Sequence, residues 1–144
     1  MSSEPTHAGV LKRVAAGLYD LLPVVALCMI ATALLLPLTG GEGITRQSPA
    51  YHAYQAYLLA IAFAYYGVSW RYGGQTLGMR AWRLRVQPDG GGRLAWGTVA
   101  IRFAMALVSV ATLGAGVLAA YFDPRRRMWH DVVAGTEVVV VVKR

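Results

Sequence analysis

The sequence predicts an all-α membrane protein: a small transmembrane helical bundle with two full spans, a third helical or re-entrant segment, and a short cytoplasmic two-stranded β pair. Three observations predict it. Of 144 residues, 56% are hydrophobic and 15% charged, too apolar a balance for an ordinary soluble domain. Leu21 to Leu38 is a charge-free run of 18 residues, close to the roughly 20 that a helix needs to cross about 30 Å of hydrocarbon. The third is charge bias. The loop after the second apolar stretch holds Arg71, Arg80, Arg83, Arg85 and Arg93, against Arg46 alone in the first loop. The positive-inside rule then assigns the N-terminus and this second loop to the cytoplasm, in a multi-pass protein of the inner (plasma) membrane.

The elements follow in order. Met1 to His7 is polar and expected to be a disordered tail, leaving residues 8–144 as one transmembrane domain. The first helix is expected to begin near Ala8 and to run through the apolar stretch. Lys12 and Arg13 before an apolar run also suit a secretory signal, whose apolar core is about 7 to 15 residues. This run is longer, contains Asp20 and Pro23, and ends in Leu36, Pro37 and Leu38, so a retained anchor is expected. Cys28 inside it is read as a small packing residue. Thr39 to Pro49, with Gly40, Gly41 and Gly43, is a loop.

The second span is expected over Ala53 to Trp70. Tyr51, Tyr54 and Tyr57 stand near one end and Tyr65, Tyr66, Trp70 and Tyr72 near the other, the distribution of two headgroup belts. Beyond it, Trp82, Leu84 and Val86 alternate with Arg83 and Arg85, the period of a strand with one apolar face, and PDGGG ends it as a turn. The stretch Leu94 to Phe122 has two readings. One long tilted span would carry Arg125, Arg126, Arg127, Lys143 and Arg144 outside, against the charge rule. Alternatively, Gly114 and Gly116 break it into an interfacial helix holding Arg102 and a short re-entrant limb. The tail Thr136 to Val142, TEVVVVV, favours the second, because it is β-prone, too short to span as a helix, and needs a strand partner. Trp82 to Val86 is the candidate, and pairing requires both on one side.

Arg13, Asp20 and Asp131 are the candidate functional residues, since an ionised group near hydrocarbon costs at least about 2.5 kcal/mol and needs a partner or a task. Arg13 and Asp20 lie seven apart on one helical stripe, about 10 Å along the axis, too far to pair directly. Either Arg13 pairs with Asp131 or Asp20 in an ionic clasp at the cytoplasmic interface, or the two aspartates bind a cation and a proton in turn. Gln75, Thr76 and Gly78 suit a tight polar turn or helix cap, and Arg125, Arg126 and Arg127 suit anionic lipid headgroups.

No catalytic residue, cofactor or metal site is expected. Ser48, Ser69 and Ser109 lack a His and acid pattern, His130 with Asp131 lacks metal-ligand spacing, and GGQTLG lacks the lysine of a phosphate loop. The net charge of +7 is assigned to lipid and orientation, not to nucleic acid, for which no motif is present.

Three segments, KRVAAGLYDLLPVVAL, GGQTLGMRAWRLRV and RRRMWHDVVAGTEVVVV, resemble the three blocks of the RDD family of small membrane proteins. The family is named for one arginine and two aspartates, which the resemblance maps onto Arg13, Asp20 and Asp131. The sequence departs from it in having Met79 and Arg80 where a lysine commonly follows the glycine. The resemblance implies one of two roles. Some prokaryotic members are associated with monovalent cation/proton exchange, implying an exchanger subunit that would work as a homo-oligomer. A eukaryotic member is associated with assembly of a membrane protein-degradation complex, implying a non-catalytic scaffold with a membrane-protein partner. Gly67, Gly114, Ala115, Gly116, Ala119 and Ala120 would allow close helix contact in either case, within the chain or between chains.

Overall fold

A computed structural model of the chain describes residues 7–141. Helix α1 runs Val10–Leu35 and continues as a 3₁₀ turn, Leu36–Thr39, that closes on Gly40. Together they form 30 residues containing an 18-residue stretch of mean hydropathy 2.5 that is almost entirely exposed in the isolated chain, long and apolar enough to cross a membrane. The exceptions to that exposure are informative. Val10, Arg13, Ala16 and Asp20 are buried, a stripe of three- and four-residue steps that faces the rest of the molecule.

Helix α2, Tyr51–Val68, packs antiparallel to α1. The Tyr54 and Thr32 hydroxyls bond at 2.8 Å and Tyr57 donates to the Ala31 carbonyl, while at the other end Tyr65 reaches Asp20. Part of the expected tyrosine belt is therefore helix-to-helix bonding. With His52, Gln55 and five tyrosines, the 18-residue α2, expected as a second full span, falls below the apolarity of one, so that α1 is the single unbroken helix among the described residues that is long and apolar enough. A π-type turn, Ser69–Gly73, extends it and buries Trp70.

The loop beyond contains helix α3, Leu77–Ala81, and strand β1, Leu84–Pro88. Leu84 and Val86 point inward as their alternation predicts, at 0% and 2% exposure. Trp82 does not join the strand. Arg83 takes a left-handed backbone conformation (φ 55°) that turns the chain between α3 and β1, leaving Trp82 exposed, and Pro88 closes the strand where a turn was expected.

Helix α4, Trp96–Ala111, and helix α5, Ala115–Leu118, are not one long span: their axes differ by 107° across a break at Thr112 to Gly114. Gly114, at φ 84°, supplies the left-handed conformation the reversal needs. The alternative of a broken third segment holds. Gly67 meets Trp96 and Val99, and Gly116 meets Ser109, so these two glycines serve contacts within the chain.

After a 3₁₀ turn, Ala119–Tyr121, come helix α6, Trp129–Ala134, and strand β2, Thr136–Val140. Strands β1 and β2 are antiparallel, with Leu84 opposite Val140 and Pro88 opposite Thr136. Val142 lies outside the described residues. On the other edge of β2, His7 bridges to Val139 and the Ala8 amide donates to the Val138 carbonyl. Both edges of the valine-rich strand are thus occupied at this point. It also corrects the expected tail: Met1 to Thr6 lie outside the described residues, but His7 is paired. The main core gathers Trp70, Leu84, Val86, Leu94, Val99, Phe103 and Val138 where the sheet meets α2 and α4.

Candidate functional site

Helix α6 is six residues long, far short of a span, and Asp131 sits in its first turn. One carboxylate oxygen, Oδ2, accepts from the Met128 amide at 2.9 Å and from Arg13 Nη2; the other, Oδ1, accepts from Arg102 Nη1. Arg13 also donates to the Arg126 carbonyl at 2.8 Å. Arg102 donates to the Thr136 hydroxyl at 2.7 Å and lies over the Trp70 ring, 5.0 Å from its centroid. Asp131 is fully buried, Arg102 is 1% exposed and Arg13 9%. This is a two-arginine clasp on one carboxylate, tying α1, α4, α6 and the start of β2 together.

The clasp sets the protonation of its neighbours. Burial pushes the Asp131 carboxyl up, but Arg102 and Arg13 outweigh it and hold it well below the usual carboxylate range. Burial, with Arg102 next, pushes the His130 imidazole down from 6.5 to about 3, so it is neutral at pH 7. Both shifts have the same consequence in acid. A depressed folded-state pKa means that the unfolded chain binds the proton first, so stability is complete above the unfolded value and lost as pH falls. For His130 that loss spans pH 6.5 to about 3, and for Asp131 it begins below the ordinary 3.8. Thermal unfolding is expected at lower temperature at pH 4.5 than at pH 7.5, and His130→Gln to flatten that dependence. An equally steep profile in the variant would exclude His130 as its source.

Asp20 stands apart from this clasp, so the charged trio does not meet as one group. Its Oδ1 accepts from the Tyr65 hydroxyl at 2.7 Å and the Gly78 amide at 2.8 Å, and its Oδ2 accepts from the Thr76 hydroxyl at 2.5 Å. Thr76 also accepts from the Met79 amide at 3.2 Å, capping α3 as a threonine there is expected to. Gln75 donates to the Leu84 carbonyl at 2.6 Å. The polar turn is therefore a receptor for Asp20 on one side and a brace for β1 on the other. Pairing of Arg13 with Asp20, one of the two expected arrangements, does not occur. The helical stripe is right, but its two charges face different neighbours.

Arg102 and Tyr65 are the residues that sequence reasoning missed. The signal for Arg102 was present: a lone arginine within an apolar stretch carries the same desolvation cost that singled out Asp131. Nothing comparable marks Tyr65 among its four helix-mates. Of the three basic residues expected at headgroups, Arg127 is bonded to Asp123 at 3.2 Å and pairs with Asp89 at 3.4 Å, while the Arg126 carbonyl serves Arg13. Arg125 and Arg126 are exposed. Among the described residues no three His, Cys, Asp or Glu side chains converge as metal ligands would.

The model of the RDD family matches residues 7–135, nearly the whole described chain. The chain belongs to the RDD family. RDD proteins are generally membrane proteins, and α1 is a helix suited to that setting. The match covers the arginine and both aspartates that the resemblance assigns to the family's name, and it ends at Gly135, just before β2. Neither a search of curated proteins nor one of solved structures returns a match.

Proposed function

We propose that this RDD protein is a non-catalytic multi-pass scaffold of the inner membrane, in which Arg13, Arg102 and Asp131 form a static lock and Asp20 a second one. The observation that carries this reading is that every oxygen of both carboxylates is already hydrogen-bonded within the chain. Each oxygen of Asp131 faces a guanidinium, and Asp20 accepts three hydrogen bonds. A carboxylate so engaged would have to abandon several charge-assisted bonds, each worth about 1.5–3 kcal/mol, to take up a cation. The scaffold then works through its surface, on a second membrane protein or another copy of itself.

A second reading, the monovalent cation/proton exchanger subunit, draws support from one feature: Arg13, Asp20 and Arg102 border a single cavity. Vesicles containing the purified protein, an imposed sodium or potassium gradient and an internal pH dye separate the two. The scaffold predicts no proton flux and a co-purifying partner. Flux that Asp20→Asn abolishes, with the melting temperature unchanged, would establish exchange instead. For a lock, Asp20→Asn lowers the melting temperature first.

In the proposed topology α1 and α2 are full spans, α4 and α5 form a re-entrant segment, and the N-terminus and sheet are cytoplasmic. Support comes from charge: Lys12, Arg80, Arg83, Arg85, Arg93 and Arg125 belong to the segments around the sheet, against Arg46 in the opposite loop. Exposed Arg125 and Arg126 then lie against anionic headgroups, worth about 1 kcal/mol per basic residue near the surface. Single cysteines in a Cys28→Ala background test it. Glu42→Cys is expected to react with an impermeant reagent from outside, and Gly91→Cys and Arg125→Cys only from inside. External labelling of Arg125→Cys would rule out the return of the C-terminal segment.

A further inference from the structure

A cavity of about 540 Å³ opens between α1, α2 and α4, within the roughly 300–1,000 Å³ of small-molecule sites. Its mouth is rimmed by Leu18, Leu21, Leu107 and Val110, all exposed on the apolar surface of the chain. Its walls include the small residues Gly17, Ala62 and Ala106, which leave the space open, and its inner end holds Arg13 and Arg102. Arg102 is unusual among buried side chains. A guanidinium has five N–H donors; among the described residues the hydrogen bonds of Arg102 leave from Nη1, and its buried Nε has no partner. The charge at this end is also unbalanced, two guanidinium groups against the single Asp131 carboxylate. Asp20 borders the cavity as well, but its oxygens are turned to Tyr65, Thr76 and Gly78.

We propose that this cavity binds an acidic phospholipid, with one acyl chain entering past Leu18 and Val110 and its phosphate meeting Arg102 and Arg13. The mouth decides the source of the ligand: an opening framed by exposed leucines and valine admits a molecule from the lipid phase. The floor decides its charge. Planar guanidinium donors match phosphate oxygens, and an orphaned buried donor gains a partner. Phosphatidylcholine would bring a quaternary ammonium toward the same cations and is disfavoured.

Trp70 also lines the cavity and reports occupancy. In a Trp82→Phe, Trp96→Phe, Trp129→Phe background, Trp70 is the sole tryptophan. Phosphatidylglycerol brominated on its acyl chains, titrated into protein in nonionic micelles, is expected to quench it saturably. Half-saturation should come at about tenfold lower concentration than with brominated phosphatidylcholine, the ratio that a modest headgroup preference gives. Native mass spectrometry of the unsubstituted protein should correspondingly retain one phosphatidylglycerol in preference to phosphatidylcholine. Gly17→Leu fills the cavity from α1, at a position where a Cβ meets nothing within 4 Å. It should abolish the quenching with the melting temperature retained, and Ala106→Leu should do the same from the opposite wall. Equal quenching by the two lipids, no retained phosphatidylglycerol, or quenching undiminished in both filled variants would overturn the proposal. None of these readouts depends on whether the protein moves ions.

Discussion

Asp131→Asn is expected to be the most destabilising single substitution in the chain. The amide keeps the shape of the carboxyl but removes the negative charge that bridges Arg13 and Arg102, leaving two buried guanidinium groups close together. Breaking a buried ion pair by removing one partner costs about 3–5 kcal/mol, a large share of the roughly 5–15 kcal/mol that holds a typical domain together. The substitutions should rank by the charge they leave behind. Arg13→Ala leaves the Arg102–Asp131 pair balanced and removes the more exposed of the two arginines, so its effect should be clearly smaller. Thermal melting in detergent, followed by tryptophan fluorescence and protease resistance, gives the order. An Asp131→Asn protein that melts with the unsubstituted one would mean that the clasp is not what holds the C-terminal segment.

Gly78→Ala is expected to be nearly as severe, for a different reason. A Cβ on residue 78 would lie 2.0 Å from the Ala16 carbonyl oxygen and 3.0 Å from the Asp20 carboxyl carbon. Neither neighbour is a flexible tip. Helix α3 must move off α1, and the Gly78 amide then loses Asp20 as acceptor. Overpacking costs about 1–3 kcal/mol, and a weakened bond to a buried charge adds about 1.5–3 kcal/mol. Gly17→Ala on the facing helix α1, with nothing near its Cβ, is the control and should be neutral or mildly stabilising. Similar melting temperatures for the two alanine variants would refute the close α1–α3 contact.

The sequence was most legible where one physical demand left a single solution. The charge-free run could only be an apolar helix, and TEVVVVV, too short to span and too β-prone to stay single, needed a strand that the alternation around Leu84 and Val86 supplied. The break near Gly114 was legible as an alternative and required the strand pairing to favour it. What stayed hidden depends on spatial neighbours. Periodicity shows that Arg13 and Asp20 share a face, yet that face meets α6 at one height and α3 at another. Arg102 reaches Asp131 across 29 residues through a bend whose angle no local pattern specifies. Arg83, a non-glycine residue with left-handed φ, carries no compositional mark at all, and it displaced the strand start from Trp82 to Leu84.

The clasp also has a place in time. Arg13 and Asp131 are separated by 118 residues, and synthesis at about 5–20 residues per second puts roughly 6 to 24 s between the appearance of the one and the other. Throughout that interval α1 carries a cation whose counter-ion has yet to be made, and β1 has no strand beside it. Until then the growing chain presents an arginine without its carboxylate and a strand with an open edge. Emergence of Asp131 and β2 closes both at once.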